Sequence, residues 1–261
     1  MTRTLTKADS RVPVALCWHY FSAHVEELRV QVLAANGTPS DLTATWALGV
    51  RADGDWESLG AWPGAAVGPA FWRSVWEDLD GRGVDRISLV CAADRDARVL
   101  CPGVKVLSPL RWGLGQVSVP AASGVGVLRA EARRVVRDAS GVRPARLSLE
   151  RLLADSGAGR AALSPDWLVW LEQFRAFYAL RPHRRAVVRA GDEYLEQLGL
   201  SLSRAVRRHG PFVDLAAAVS FVAQTISRDE LRLKFSKLPK ATRPALHLVG
   251  PDAAGLAPPS Q

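Results

Sequence analysis

Residues 28–50, LRVQVLAANGTPSDLTATWALGV, decide the fold of the first half of the chain. In LRVQVLA (28–34) apolar and polar residues alternate, which is the period of a strand with one buried face. The segment NGTPSD (36–41) follows with residues that favour turns, and TATWALGV (43–50) reads as a second strand. Because so short a connection cannot hold a parallel crossover, the two strands are predicted to pair antiparallel.

The rest of the first half extends this pair into an α/β sheet. The turn ADGD (52–55) leads into a third strand, which completes an antiparallel meander of three strands. An amphipathic stretch that opens with Gly68-Pro69 predicts a helix, and the nearly continuous apolar run after it predicts a strand buried on both faces. The predicted elements outside the opening pair are RVPVALCW (11–18), DWESLGAW (55–62), the helix at 69–81, RISLVCAA (86–93) and VKVL (104–107).

The second half of the chain is helical in pattern. PAASGVG (120–126) is a connector rich in Gly, Pro and Ser, and apolar residues recur at helical spacing from Val127 onward. From about Ser236 the chain is rich in Pro, Ala and Gly, which is typical of a loose tail. The predicted division is a sheet half at 1–119, a helical insertion at 120–175, C-terminal helices at 176–228 and a flexible tail at 229–261.

Composition limits the class of protein. The 261 residues carry 34 Lys and Arg against 26 Asp and Glu, and the net charge of +8 favours a polyanionic partner such as nucleic acid. With 48% hydrophobic residues and three cysteines without CxxC spacing, the chain is globular and is neither a disulfide scaffold nor a zinc module. We expect a cytoplasmic protein without a membrane span or a small-molecule substrate, because long apolar stretches and HExxH, GxSxG or phosphate-loop motifs are missing from the sequence.

Two blocks of sequence resemble the mutator-type transposases of bacterial insertion sequences. The first is ALGVRADGDWESLGAWPG (47–64) followed by FWRSVWEDLDGRGVDRISLV (71–90). The second is FRAFYALRPHRR (174–185) followed by EYLEQL and RRHGPF. The resemblance covers about Val25 to Arg228 and implies a ribonuclease-H-like mixed sheet, interrupted by a helical insertion and completed by C-terminal helices. In such a core three acidic residues would hold two divalent ions, Mg²⁺ or Mn²⁺, which catalyse DNA strand cleavage and transfer.

The resemblance also implies which residues would do the chemistry. The second acid of the family corresponds to Asp94, which follows an apolar strand, with Asp96 as the alternative. The third acid corresponds to Glu196, which precedes the basic run that ends in GPF. The first acid, an Asp in the family, falls near Cys17 or near Glu26, depending on where the gap is placed. The implied catalytic set is therefore Glu26, Asp94 and Glu196, with Asp94 and Glu196 as metal ligands.

Arginines surround the helix that carries Glu196. Arg184, Arg185, Arg204, Arg207 and Arg208 are candidates for contacts with DNA phosphates, although a solvated helix face would show the same pattern. The first function hypothesis is a DNA transposase. The second is a catalytically inactive DNA-binding or assembly protein on the same scaffold, because the first acid is not present as Asp. The third is a structural domain whose charge reflects codon bias, and the oligomeric state, a homo-oligomer included, stays open.

Overall fold

The computed structural model describes residues 15–17, 19–64, 68–93, 95–101, 103–107, 125–155 and 165–236. In this part of the chain a mixed five-stranded sheet is flanked by helices on both faces. The strands are β1 His19–Leu33, β2 Pro39–Val50, β3 Trp56–Pro63, β4 Arg86–Cys91 and β5 Lys105–Leu107. The helices are α1 Pro69–Gly81, α2 Val125–Asp138, α3 Val142–Asp155, α4 Pro165–Glu172, α5 Arg175–Tyr178, α6 Pro182–His209 and α7 Leu215–Ser236, with a 3₁₀-helix at Arg95–Val99.

The antiparallel meander β1–β2–β3 is confirmed. The β1–β2 hairpin turns through Gly37, whose φ of 77° lies in the left-handed region that glycine adopts readily. The ladder between β2 and β3 shifts register at Ala47 and Leu48, where a bulge brings Gly60 of β3 to a φ of 135°. A bulge of this kind increases the local twist of the strand pair.

Two parallel strands extend the sheet beyond β1. The order is β3-β2-β1-β4-β5, with β4 parallel to β1 and β5 parallel to β4. The connection from β3 to β4 runs through α1, whose buried side chains Trp72, Val75 and Leu79 belong to the apolar cluster on one face of the sheet. Both sides of β4 are buried, as its nearly continuous apolar sequence predicts.

The opposite face of the sheet is covered by α6 and α7. Leu195, Leu198 and Leu202 of α6 pack with Trp46 of β2 in one apolar cluster. Two backbone hydrogen bonds join the turn after α6 to β1. The Phe212 amide donates to the carbonyl of Gln31, and the Leu33 amide donates to the carbonyl of Phe212, both at 2.8 Å. Two consecutive backbone bonds of this kind hold the carboxyl end of α6 against the sheet.

The helices α2 to α5 form a second core between the sheet edge and the start of α6. Trp167, Trp170 and Phe174 are fully buried there, and Phe177 and Val188 connect this cluster to α6. Within the described residues, none of the helices is both long enough and apolar enough to cross a membrane.

Three boundaries differ from the sequence expectations. The stretch RVPVALCW is not a strand where it is described: residues 15–17 lie outside the sheet, and β1 begins at His19 and runs unbroken into LRVQVL. The helical stretch 165–178 breaks after Glu172 into α4 and α5. Helix α7 continues to Ser236, so 229–236, which the sequence assigned to the tail, is helical. Residues 1–14, 108–124 and 237–261 lie outside the described residues, and the domain division as a whole stays a prediction.

Candidate functional site

Helix α6 crosses β1 at two glycines. A Cβ atom placed on Gly191 would collide with the imidazole of His24, with Cδ2 only 2.6 Å away. A Cβ atom placed on Gly199 would lie 2.9 Å from Oε2 of Glu26. Because alternate residues of a strand share a face, His24 and Glu26 both point at α6, and the glycines let the helix backbone approach them closely.

Glu26 lies in the middle of β1, at the end of the parallel strand pair. The last paired residues of β1 and β4 are His24 and Cys91, so Glu26 stands two residues beyond the carboxyl end of β4. Across the antiparallel ladder it faces Trp46, which is completely buried. Its half-buried side chain therefore lies at the edge where the parallel strands end, between the sheet and α6.

Glu196 lies on α6 one turn before Gly199. Residues three apart on a helix share a face and rise about 4.5 Å along the axis, so the Glu26 carboxylate reaches α6 within one turn of Glu196. The Glu196 carboxylate is itself engaged, because Nη1 of Arg133 in α2 donates to its Oε1 at 3.2 Å. The structure thus brings Glu26 and Glu196 to the same stretch of α6.

The other acid candidates are placed differently. Asp94 lies outside the described residues, between the end of β4 and the 3₁₀-helix. Asp96 lies in that 3₁₀-helix, where its Oδ1 is 3.9 Å from Nη2 of Arg98. Cys17, the alternative for the first acid, lies before β1, and its amide donates to the hydroxyl of Tyr20 at 2.9 Å. Of the two alternatives for the first acid, Glu26 is the one that contacts α6.

Asp192 is an acid that the sequence reasoning missed. It precedes Glu196 by four residues on α6, so the two carboxylates share a face. Burial raises the pKa of the Cys91 thiol, and the negative charge of Asp192 raises it further, which places Asp192 next to the carboxyl end of β4. The sequence does contain a signal for Asp192: its i, i+4 spacing from Glu196 predicts that the two carboxylates lie on one face of the helix.

Arginines of α2 were also missed. Arg133 pairs with Glu196, and Nη1 of Arg137 donates to Oε1 of Glu193 at 2.9 Å. Arg133 and Arg137 are four residues apart and lie on one face of α2, while Glu193 and Glu196 lie three apart on α6. Between the two helices is a cleft of about 160 Å³ lined by three arginines and three acids: Arg133, Arg134, Arg137, Asp192, Glu193 and Glu196. Its charge is therefore balanced.

The five predicted DNA-binding arginines fall into two groups at opposite ends of α6. Arg184 lies 5.5 Å from the ring centroid of Phe21, a cation–π distance, and Arg185 donates to the carbonyls of Ala139 and Ser140 after α2. The other group, Arg204, Arg207 and Arg208, is exposed at the carboxyl end of the helix. At 1.5 Å per residue the centres of the two groups are about 33 Å apart along the helix axis, with Glu196 close to halfway between them.

The donor set suits a hard cation but is incomplete in the described residues. Carboxylate oxygens are the ligands that Mg²⁺ prefers. Two carboxylates are candidates here: that of Glu196 on α6, and that of Glu26, which lies against α6 at Gly199, less than one turn from Glu196. In the part of the chain that the structure describes, there is no group of three or more His, Cys, Asp or Glu able to hold a metal ion. A complete site would need Asp94, which lies outside that part.

Comparison with known families agrees with the sequence resemblance over part of the first half of the chain. Residues 17–97 match the model of the family described as Transposase, Mutator family. The matched segment contains β1 to β4, Glu26 and Asp94, whereas α6 and Glu196 lie beyond it. The curated proteins contain no match to the chain. Residues 17–97, which include β1 to β4 and Glu26, are therefore similar to the Mutator family of transposases.

Proposed function

We propose that the protein acts on DNA as a mutator-type transposase, cleaving and joining strands with Glu26, Asp94 and Glu196 as its acidic residues. The observation that carries the proposal is the position of the Glu26 carboxylate against Gly199 of α6, one turn from Glu196. The two acids are 170 residues apart in sequence, and the side chain of Glu26 lies against the part of α6 that carries Glu196. In sequence, Asp94 follows the end of β4 by three residues.

The proposal includes a ribonuclease-H-like core. Its support is the strand order β3-β2-β1-β4-β5, in which an antiparallel meander is continued by two parallel strands. Helices cover both faces, and α2 to α5 stand between β5 and α6 as a helical insertion would. This is the arrangement that the resemblance to the family leads us to expect.

Within this core the chain's own residues would position the reacting phosphate and any bound cation. Bound divalent ions would supply activation of the attacking oxygen and stabilisation of the leaving oxygen. Glu26 and Glu196, with Asp94, would hold them by hard carboxylate oxygens. Arg133 would keep Glu196 neutralised in their absence, since its guanidinium lies 3.2 Å from that carboxylate.

The arginines of α6 support a DNA partner. The centres of the two groups are about 33 Å apart along the helix, close to one turn of B-DNA, and they flank Glu196 at about 16 Å on each side. Four of the five side chains are exposed and therefore accessible to phosphates: Arg184, Arg204, Arg207 and Arg208. Arg185 is held instead by the backbone at the end of α2.

A nicking assay tests the catalytic proposal. The full chain is incubated with supercoiled plasmid and Mg²⁺ or Mn²⁺, and conversion to open-circular DNA is measured. We expect metal-dependent nicking that falls at least a hundredfold in Glu196→Gln. The matched control is Glu193→Gln, three residues away on α6 and paired with Arg137, which should keep wild-type activity. Equal losses in both variants would contradict the role of Glu196.

The second candidate is an inactive DNA-binding protein on the same scaffold. The observation that favours it is the Arg133–Glu196 ion pair. The guanidinium of Arg133 binds the carboxylate that a metal ion would need as a ligand. Under this alternative the wild-type chain binds DNA with a strong salt dependence but does not nick it with any divalent cation. Metal-dependent nicking that requires Glu196 would exclude this candidate.

A further inference from the structure

The contact between Gly199 and Glu26 implies a role for the glycine. A Cβ atom at position 199 would lie 2.9 Å from Oε2 of Glu26 and 3.6 Å from Cζ2 of Trp46. Real Cβ atoms essentially never lie within 3.0 Å of a heavy atom to which they are not linked through neighbouring bonds. A side chain at 199 would therefore force the Glu26 carboxylate to move. The space beside Gly199 is thus occupied by the carboxylate of Glu26, whose side chain is one methylene longer than that of aspartate.

The surroundings make this space specific. Trp46 faces Glu26 across the strand pair and is completely buried, so the sheet side cannot yield to a displaced carboxylate. Glycine inside a helix is less favourable than alanine. Position 199 lies in the interior of the 28-residue α6, ten residues before its end. A residue that weakens the helix at this point is explained by what it leaves room for.

We propose that Gly199 is a positioning residue for Glu26: because it lacks a side chain, the Glu26 carboxylate can lie against α6 within one turn of Glu196. The assignment rests on the proposed function, in which Glu26 is one of the acidic residues. Its geometric part, the coupling of positions 26 and 199, can be measured without any activity.

A double-mutant cycle on thermal stability measures the coupling. Gly199→Ala alone should lower the Tm, because the new methyl group displaces Glu26. The shorter side chain of Glu26→Asp withdraws the carboxylate, so Gly199→Ala should be neutral or should raise the Tm in the E26D background. Glu26→Gln, which keeps the length, should not restore stability. Glu27→Asp is the matched control, since Glu27 is the exposed neighbour on β1 and strand alternation turns its side chain away from the face that carries Glu26.

The positioning role predicts a second pattern, in metal-dependent nicking. Gly199→Ala should reduce nicking at least tenfold, and G199A/E26D should not recover it even where the Tm is restored, because the shorter side chain withdraws the carboxylate from α6. Recovery of nicking together with the Tm would show that Gly199 has only a structural role. If wild-type protein does not nick DNA, the proposed function fails, while the stability cycle still decides whether the two positions are coupled.

The stability cycle can overturn the assignment. Equal Tm changes for Gly199→Ala in the wild-type and E26D backgrounds would show that the positions are independent. A higher Tm for Gly199→Ala alone would show that the methyl group fits. If G199A does not fold, folding of G199A/E26D supports the assignment, and failure of both variants to fold overturns it.

Discussion

Replacing Gly191 by Ala tests how closely α6 approaches β1, because helix propensity and packing predict opposite signs. An alanine in a helix interior is more favourable than glycine by about 1 kcal/mol. At this position, however, the new Cβ would lie 2.6 Å from Cδ2 and 2.8 Å from Cε1 of His24, which is fully buried and shares a 3.1 Å hydrogen bond with Ser22. The imidazole has to move for the methyl group to fit.

The magnitude follows from two costs. Overpacking of a core costs about 1–3 kcal/mol, and separating His24 from Ser22 would leave buried polar atoms unsatisfied, at about 1–3 kcal/mol. After subtracting the propensity gain of about 1 kcal/mol, the free energy of unfolding should fall by about 1–5 kcal/mol. The Tm should then fall by about 2–4 °C for each kcal/mol.

Urea and thermal unfolding, followed by tryptophan fluorescence, measure this change. Gly81→Ala is the control, since a Cβ there has nothing within 4 Å. The variant H24A should make Gly191→Ala less damaging, because the ring that it strikes is gone. If Gly191→Ala instead stabilises the protein by the amount that helix propensity gives, α6 does not lie against His24 and the account of the site is wrong.

Three further predictions concern charge and burial. Arg133→Ala should lower the free energy of unfolding by at most about 1 kcal/mol, and by less in high salt, because both partners of its ion pair are partly exposed. In native protein at pH 8 a thiol reagent should label Cys17 quickly and Cys91 and Cys101 slowly, since the latter two are buried and burial raises the pKa of both thiols, so little thiolate forms. Arg207→Ala should reduce the slope of log K against log salt for DNA binding by about 0.9.

Each of these has a contradicting result. A loss above about 3 kcal/mol in Arg133→Ala would mean that the ion pair is buried. Fast labelling of Cys91 would mean that β4 is not buried between β1 and β5. An unchanged salt slope in Arg207→Ala, with a reduced slope in Arg185→Ala, would place the phosphate contacts at the opposite end of α6.

The sequence predicts the sheet better than it predicts the site. Turn residues and apolar alternation are local signals, so the meander, α1, β4 and β5 are found close to their observed positions. The first part of β1 is missed because residues 22–25 are all buried, and His24 and Glu26 interrupt the alternation that marks a strand. A buried histidine over a helix glycine leaves no periodic signal.

The site depends on contacts between distant segments, which periodicity does not encode. That Arg133 pairs with Glu196 follows only from the packing of α2 against α6. Gly191 and Gly199 are, by propensity, weak points in a helix, and their role as spacers is visible only once β1 lies beneath them. The resemblance to a family indicated Glu26 and Glu196 as candidates. That the side chain of Glu26 lies against α6 close to Glu196 is visible only in the fold.

The most direct test of the central claim is iron-mediated cleavage of the protein's own backbone. Fe²⁺ would replace Mg²⁺ in the site, and ascorbate and peroxide would then produce hydroxyl radicals that cut only nearby backbone. We expect three cuts in one sample, close to Glu26, Asp94 and Glu196, all suppressed by excess Mg²⁺ and weakened by Glu196→Gln. Cuts near only one of these residues, or a pattern that Mg²⁺ does not suppress, would show that the acids do not share a metal site.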